Sequence, residues 1–191
     1  ECQELAFGEY GRILSYLSSH PRAHHEALEM IDRRFLVFTL NAYQSFLFNE
    51  VLSRWVRVLA GRRGFEVRES AYAHGIFVFP DRLPPGLTDE LCATALPVPG
   101  YDSALPDPLV RSIVEDVLAG EKIRLVDLRV RQMRRLSAHG VERPAFVRPE
   151  GLAVSPAGQD ELYPGKQKLR LEFFLPRGSY ATLLVRRLAL R

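Results

Sequence analysis

Hydrophobic residues recur every three to four positions along much of the first third of the chain, which is the spacing of an amphipathic helix. The pattern predicts helices over 10–17, 21–30 and 35–60. The third is the longest, and its many aromatic residues indicate that most of its surface is buried. A narrow polar stripe on this helix holds Asn41, Ser45 and Asn49. We expect the helix to end at Gly61, because glycine often closes a helix.

Two further helices are predicted in the middle and at the end of the chain. The first covers 108–120, where Asp107 can cap the helix, Pro108 suits its first turn and Gly120 ends it. Its apolar face consists of Leu109, Val110, Ile113, Val114, Val117 and Leu118. The second begins after Ser179, which we expect to be its N-cap. The residues that this last helix is expected to bury are Leu183, Leu184 and Leu188.

Other stretches have the pattern of strands and loops. Residues 64–69 and 75–79 are short and β-prone, and 168–175 alternates between apolar and polar positions, as in a half-buried antiparallel strand. The apolar side of 168–175 carries Leu169, Leu171, Phe173 and Leu175. We interpret 124–135 as a strand followed by a helix. Loops rich in proline, glycine or polar residues are predicted over 81–88, 95–107 and 155–165. The fold class expected is α+β, with mixed helices and short antiparallel sheets.

The composition is that of a globular chain with a core, because 47% of the residues are hydrophobic and 26% are charged. No apolar stretch is long enough to span a membrane, so we expect no membrane partner. The two cysteines, Cys2 and Cys92, fit no metal-binding or redox spacing. We interpret them as reduced thiols of an intracellular protein, whether of the nucleus, the cytoplasm or an organelle.

The net charge of +3 is distributed unevenly. Residues 89–121 hold seven acidic side chains against one basic one, whereas 165–191 holds seven basic side chains against one acidic one. Basic residues also dominate 122–148, where Arg131, Arg134 and Arg135 form a dense cluster suited to phosphate groups. Such asymmetry would let a polyanion meet one face of the molecule. The alternative is that these charges are merely solvated surface.

Three collinear segments carry a family resemblance. They are 41–49 (NAYQSFLFN), 93–102 (ATALPVPGYD) and 174–182 (FLPRGSYAT). Each resembles a signature segment of the TruD-type pseudouridine synthases, and their spacing is similar as well. The resemblance implies an insertion domain over 30–147, between the end of a first catalytic-core segment at 1–29 and a returning core segment at 148–191.

The resemblance also implies an activity, namely isomerisation of uridine to pseudouridine in tRNA or another RNA, without a metal, nucleotide or redox cofactor. The target base must leave the stack and enter a pocket. By similarity, Tyr180 lies beside that base, and Gly178 with Ser179 forms the adjoining turn and contributes to substrate binding. Arg186 joins Arg131, Arg134 and Arg135 as an RNA-binding candidate.

Each of these assignments has an alternative interpretation. Tyr180 could be a core tyrosine, Ser179 a simple cap and the arginines solvated surface. The aromatic residues of 43–48 are interpreted as core, and the histidines at 20, 24 and 25 are not expected to bind a metal.

Two departures from the family pattern matter. The family's catalytic aspartate belongs to a Lys-Asp-Arg motif, and an Asn-x-Phe-Gly motif supplies an aromatic residue, but neither occurs in these 191 residues. We therefore expect the aspartate upstream of Glu1, in the same or a separate chain, and expect this chain alone to be inactive. The alternative function is a non-catalytic TruD-like subunit for RNA binding or assembly. Members also often read Arg-Glu-Leu at 186–188, where this chain has Arg187 in the middle.

Overall fold

The computed structural model describes residues 9–133 and 136–190 as a mixture of helices and short strands. The helices are α1 (Glu9–Ser19), α2 (His24–Glu29), α3 (Arg33–Arg63), α4 (Leu87–Ala93), α5 (Pro108–Gly120) and α6 (Ala181–Ala189), with a 3-10 helix at Leu125–Leu128. The strands are β1 (Val67–Tyr72), β2 (Gly75–Pro80), β3 (Ala95–Val98), β4 (Val141–Pro144), β5 (Glu150–Val154), β6 (Gly158–Gln159), β7 (Gln167–Lys168) and β8 (Leu171–Phe174). This content confirms the α+β class.

The strands of the described residues form two-stranded sheets. β1 and β2 are an antiparallel hairpin, in which Val67 pairs with Pro80 and Tyr72 with Gly75. β3 pairs with β4, β6 pairs with β7, and β5 pairs with β8 across a long connection. The β5–β8 pair is antiparallel and has a register shift between Glu150 and Ala153. Sheets of two strands are at best marginally stable in isolation.

The chain divides into two compact units, and each has its own core. The first unit comprises 1–51 and 97–141, and the second comprises 52–96 and 142–191. The most deeply buried side chains of the first unit are Leu47, Val51, Pro99 and Val114. Those of the second are Val56, Leu91 and Leu96. The helix α3 contributes its first nineteen residues to one core and its remainder to the other, which explains why apolar residues occur all around it.

Most of the predicted helices are confirmed. Those expected over 10–17, 21–30, 35–60 and 108–120 correspond to α1, α2, α3 and α5. The carboxylate of Asp107 accepts a hydrogen bond from the backbone N–H of Val110 at 2.8 Å, and so it caps α5 as predicted. Four residues of the predicted apolar face are buried, namely Ile113, Val114, Val117 and Leu118.

The expected end of α3 and the strand predicted at the start of 124–135 are wrong. The helix continues through Gly61 to Arg63, and Gly64 follows it with a φ of +71°. Only a glycine adopts that left-handed conformation without strain, so the helix ends at the second of two available glycines. Residues 124–135 contain no strand among those described. Instead, Asp127 accepts hydrogen bonds from the backbone N–H and the guanidinium of Arg124, which favours the tight 3-10 turn.

The C-terminal helix also differs in detail from the prediction. Tyr180, and not Ser179, occupies the N-cap position of α6, and no side chain accepts a capping hydrogen bond there. Leu183 and Leu184 are only half-buried, and Leu188 is 48% exposed. The predicted strand over 168–175 is two separate strands, β7 and β8. Its alternation holds only within β8, and Leu169, which lies between the two strands, is exposed.

Parts of the predicted loops are regular structure. The helix α4 begins at Leu87, inside 81–88, and β3 and β6 lie within 95–107 and 155–165. These elements are short, and β3 contains Pro97, so their local sequence resembles that of loops. No helix in the described ranges is both long and apolar enough to cross a membrane.

Two loops of the first unit approach each other very closely. The backbone N–H of Tyr101 donates to the carbonyl of Ala138 at 2.9 Å. A Cβ atom placed on Gly100 would lie 2.0 Å from the backbone nitrogen of Gly140, and one placed on Gly140 would lie 2.3 Å from Oγ of Ser103. Only two residues without side chains fit at this crossing.

We predict that Gly100→Ala lowers the free energy of unfolding by about 2–4 kcal/mol, because the new methyl group must push two backbones apart. The matched control is Gly61→Ala. Gly61 lies within α3 with no atom near its hypothetical Cβ, and alanine there should stabilise by about 0.5–1 kcal/mol. Chemical denaturation of both variants measures these changes. Equal stabilities for the two variants would contradict the close approach.

Candidate nucleic-acid interface

The predicted substrate-binding residues form an exposed turn that leads into α6. Gly178 has a φ of +89°, and the N–H of Ser179 donates to the carbonyl of Pro176 at 3.1 Å. Tyr180 follows at the N-cap position, and the N–H of Leu183 donates to its carbonyl. The side chain of Tyr180 is 51% exposed. It is therefore not a core tyrosine in this structure, and its ring is accessible to a ligand.

The helix that follows this turn is attached to the β1–β2 hairpin by Arg186. Nη1 of Arg186 donates to the carbonyl of Ala71 at 2.8 Å and lies 3.4 Å from Oγ of Ser70. Its guanidinium carbon is 5.4 Å from the centre of the Phe77 ring, which is a cation–π distance. These contacts give Arg186 a structural role in orienting α6, and its contact with RNA stays a prediction.

Arg187, the next residue, is part of a second link between α6 and the hairpin region. Its Nη2 lies 2.9 Å from Oδ1 of Asp81, and Nη2 of Arg68 lies 2.9 Å from the other carboxylate oxygen. The Asp81 side chain is only 14% exposed. The hydrogen bond from Arg68 is the main cause that lowers the pKa of Asp81 below its usual value. The arginine at 187 therefore has a carboxylate partner from elsewhere in the second unit.

The basic candidates of 122–148 lie in the first unit. Arg131 is exposed at the edge of an open cleft of about 580 Å³, whose lining also includes Glu29, Arg33 and Leu36. Arg134 and Arg135 lie outside the described residues. Arg131 thus belongs to a different unit from Tyr180 and Arg186.

The first two signature segments meet in the core of the first unit. Nε2 of Gln44, a buried residue of α3, donates to the carbonyl of Pro99 at 3.0 Å and to that of His139 at 2.9 Å. The neighbouring Phe48 is buried, and Tyr43 is half-buried with its hydroxyl donating to Glu121. Burial is the main cause that raises the pKa of Tyr43. The aromatic residues here are core, as predicted.

Four side chains project above this core, and we call them the Tyr101 cluster: Tyr101, Asp102, Arg129 and His139. Oδ2 of Asp102 lies 2.8 Å from Nδ1 of His139, and Oδ1 accepts the N–H of Gly140 at 2.7 Å. The latter bond is the main cause that lowers the pKa of Asp102. The Tyr101 ring centre is 4.9 Å from that of His139 and 5.5 Å from the guanidinium carbon of Arg129.

Sequence reasoning had placed Tyr101 and Asp102 in a signature segment but had given no role to Arg129 or His139. His139 is 37 positions from Asp102, and no spacing rule connects them. Among the described residues, no group of three histidine, cysteine, aspartate or glutamate side chains is arranged to hold a metal ion.

Comparison with known proteins identifies the family. Residues 9–188 match the family model described as tRNA pseudouridine synthase D (TruD). A protein of Methanopyrus kandleri named "Probable tRNA pseudouridine synthase D" is 33% identical over 183 residues, which is 95% of this chain. A Methanococcus maripaludis protein named "Probable tRNA pseudouridine synthase D 1" is 30% identical over 162 residues, or 85% of this chain. The chain belongs to the TruD family of pseudouridine synthases.

A solved structure agrees in fold. The crystal structure of a Methanosarcina mazei protein described as tRNA pseudouridine synthase D superimposes with a TM-score of 0.66 at 24% identity, covering 95% of this chain and 44% of that one. The chain spans 40% of the length of the Methanopyrus kandleri and Methanococcus maripaludis relatives.

We predict that Gln44→Met lowers the free energy of unfolding by about 1–3 kcal/mol. The two side chains have similar volumes, but methionine leaves the carbonyls of Pro99 and His139 without a donor. Asn41→Ala, at an exposed position of the same helix, is the control and should change stability by less than about 0.5 kcal/mol. Urea denaturation compares them. A Gln44→Met variant as stable as the wild type would show that these hydrogen bonds are dispensable.

We predict that Asp81→Asn makes stability less dependent on pH. Because the folded-state pKa of Asp81 is lowered, its contribution is present above the unfolded-state value of about 3.9 and is lost as pH falls through the folded-state value. The difference in melting temperature between wild type and variant should thus be largest near neutral pH and should shrink below about pH 4. Asp116→Asn, at an exposed position of α5, is the control. A difference in melting temperature that stays constant across this pH range would contradict the link between ionisation of Asp81 and stability.

Proposed function

We propose that this chain forms part of an RNA pseudouridine synthase that converts uridine to pseudouridine in tRNA. The supporting observation is that the signature segment at 174–182 holds an exposed aromatic ring, Tyr180, on a turn that is fixed to the rest of the second unit. Family membership and the names of the relatives support the reaction and the substrate. The proposal includes an insertion domain at 30–147, flanked by core segments at 1–29 and 148–191.

The chemistry assigns the chain a binding role. Detaching uracil from its ribose and rejoining it through carbon requires the base to leave the stack and turn in a pocket. Tyr180 stacks on the extruded base, and Gly178 and Ser179 keep the adjoining backbone close to it. A carboxylate that acts as nucleophile or base at the ribose is also required. That carboxylate belongs to the Lys-Asp-Arg motif, which does not occur in these 191 residues.

The position of Tyr180 depends on α6, because Tyr180 occupies the N-cap position of that helix. Arg186 and Arg187 hold this helix against Ala71, Phe77 and Asp81. Because α6 is fixed, the backbone that carries the aromatic ring is already in place when the base arrives, which lowers the entropy cost of binding. Phosphate groups of the RNA would contact Arg131, Arg134 and Arg135.

The test is a chimera. We expect the 191-residue chain alone to form no pseudouridine in a tRNA transcript. When this chain replaces the matching 40% of the Methanopyrus kandleri relative, we expect the chimera to form it. Controls are the intact relative and a melting curve of the chimera. A folded chimera that binds tRNA without converting uridine would instead support the non-catalytic alternative, an RNA-binding or assembly subunit.

Within this chimera, we predict that Tyr180→Phe retains most of the activity and that Tyr180→Ala loses about 5- to 150-fold. Stacking needs the ring and not the hydroxyl, and it is worth about 1–3 kcal/mol per base. Tyr163→Ala is the matched control, because this tyrosine is 63% exposed in the same unit. Rates and melting temperatures are measured on all three variants. Loss of melting temperature with an unchanged rate per folded molecule would refute the stacking role.

A further inference from the structure

We propose that the Tyr101 cluster of the first unit is an RNA-binding site that holds a phosphodiester group of single-stranded RNA. The ligand, RNA, rests on the proposed function, but the site is separate from the turn at Tyr180 and belongs to a different unit. The phosphate is bound by the guanidinium of Arg129, next to the rings of Tyr101 and His139.

Several contacts hold together the two loops beneath the cluster. The loops at 99–103 and 138–140 are fixed by Gln44, by the glycine crossing and by the bond from the N–H of Gly100 to Oγ of Ser103 at 2.9 Å. The side chains above this base are solvent-accessible, and that of His139 is 65% exposed. Exposed ion pairs contribute little to stability. Folding therefore does not require the cluster's polar groups, whereas a ligand would find them already ordered.

The geometry suits one oxyanion. The ring centre of Tyr101 is 5.5 Å from the guanidinium carbon of Arg129 and 4.9 Å from the ring centre of His139, so both side chains lie next to the same aromatic ring. Asp102 uses Oδ2 for Nδ1 of His139 and Oδ1 for Gly140. This leaves Nε2 of His139 on the side of the Tyr101 hydroxyl, 3.4 Å away. The guanidinium of Arg129 and the hydroxyl of Tyr101 are groups that can donate hydrogen bonds to a phosphate.

Asp102 places a negative charge near this region, but both of its oxygens already accept hydrogen bonds. The contact between Oδ2 and Nδ1 fixes the orientation of the His139 ring. Asp102 is thus a positioning residue that aims the ring. It does not contact the ligand.

The surroundings favour RNA over an acidic peptide. Exposed basic residues precede and follow Arg129 along the chain, namely Lys122 and Arg131, so a ligand with regularly repeated charges can contact more than one of them. An aromatic ring combined with guanidinium and imidazole groups is also typical of proteins that bind unpaired nucleotides.

The test measures binding of a fluorescein-labelled oligouridylate to the full 191-residue chain by anisotropy over a range of salt concentrations. We expect Arg129→Gln to weaken binding about fivefold and to reduce the salt slope by about 1, because one phosphate contact is lost. Arg62→Gln removes the same charge from an exposed position at the end of α3 in the second unit. We expect it to weaken binding less than about twofold.

A second measurement observes the site directly. In long-range ¹H–¹⁵N spectra of the imidazole rings, assigned with His139→Gln, addition of oligouridylate should shift the signals of His139 more than those of His74, an exposed histidine of the second unit. A purely structural histidine would not respond.

Each outcome is decisive. The proposal is overturned if Arg129→Gln and Arg62→Gln weaken binding equally, if the wild type does not bind oligouridylate, or if poly-glutamate binds with the same dependence on Arg129. An inactive chimera together with Arg129-dependent RNA binding would defeat the proposed function and leave this site standing. An active chimera whose RNA binding does not depend on Arg129 would support the proposed function and overturn the proposal for this site.

Discussion

The crossing of two backbones at Gly100 and Gly140 is the constraint on which the first unit depends. A side chain at either position would overlap an atom of the other loop. Gln44 satisfies one carbonyl on each loop from the buried side, so a helix and both loops are fixed at a single point. The Tyr101 cluster lies on these two loops, so its side chains are positioned by the contacts that hold the loops together.

Charged side chains hold α6 in place in the second unit, whereas close backbone packing holds the loops of the first unit. Arg186 and Arg187 are consecutive residues of α6. Arg186 donates to the backbone of the hairpin, and Arg187 donates to the carboxylate of Asp81. Asp81 also pairs with Arg68, so one partly buried carboxylate forms ion pairs with two guanidinium groups. Since α6 starts directly after Tyr180, these contacts determine how the exposed ring is presented.

The family's signature segments have structural roles in this chain. Two of them contribute Gln44 and the turn from Pro99 to Asp102, which bond to each other through a buried amide. The third forms the turn that ends at Tyr180. The signature segments therefore include residues that hold loops in place. Arg129 and His139 lie outside these segments, so the resemblance identified the family but gave no role to either residue.

Sequence alone determined the features that depend on neighbours a few positions apart. The cap at Asp107 and the apolar face of α5 follow from a local hydrogen bond and from periodicity. Tertiary structure decided the rest. The helix α3 was predicted to end at Gly61 but ends just before Gly64, because of these two glycines only Gly64 adopts a left-handed φ. The 168–175 stretch became two strands because its halves pair with different partners. His139 meets Asp102 across 37 positions, since hydrogen bonds between distant loops leave no periodic signal in a single sequence.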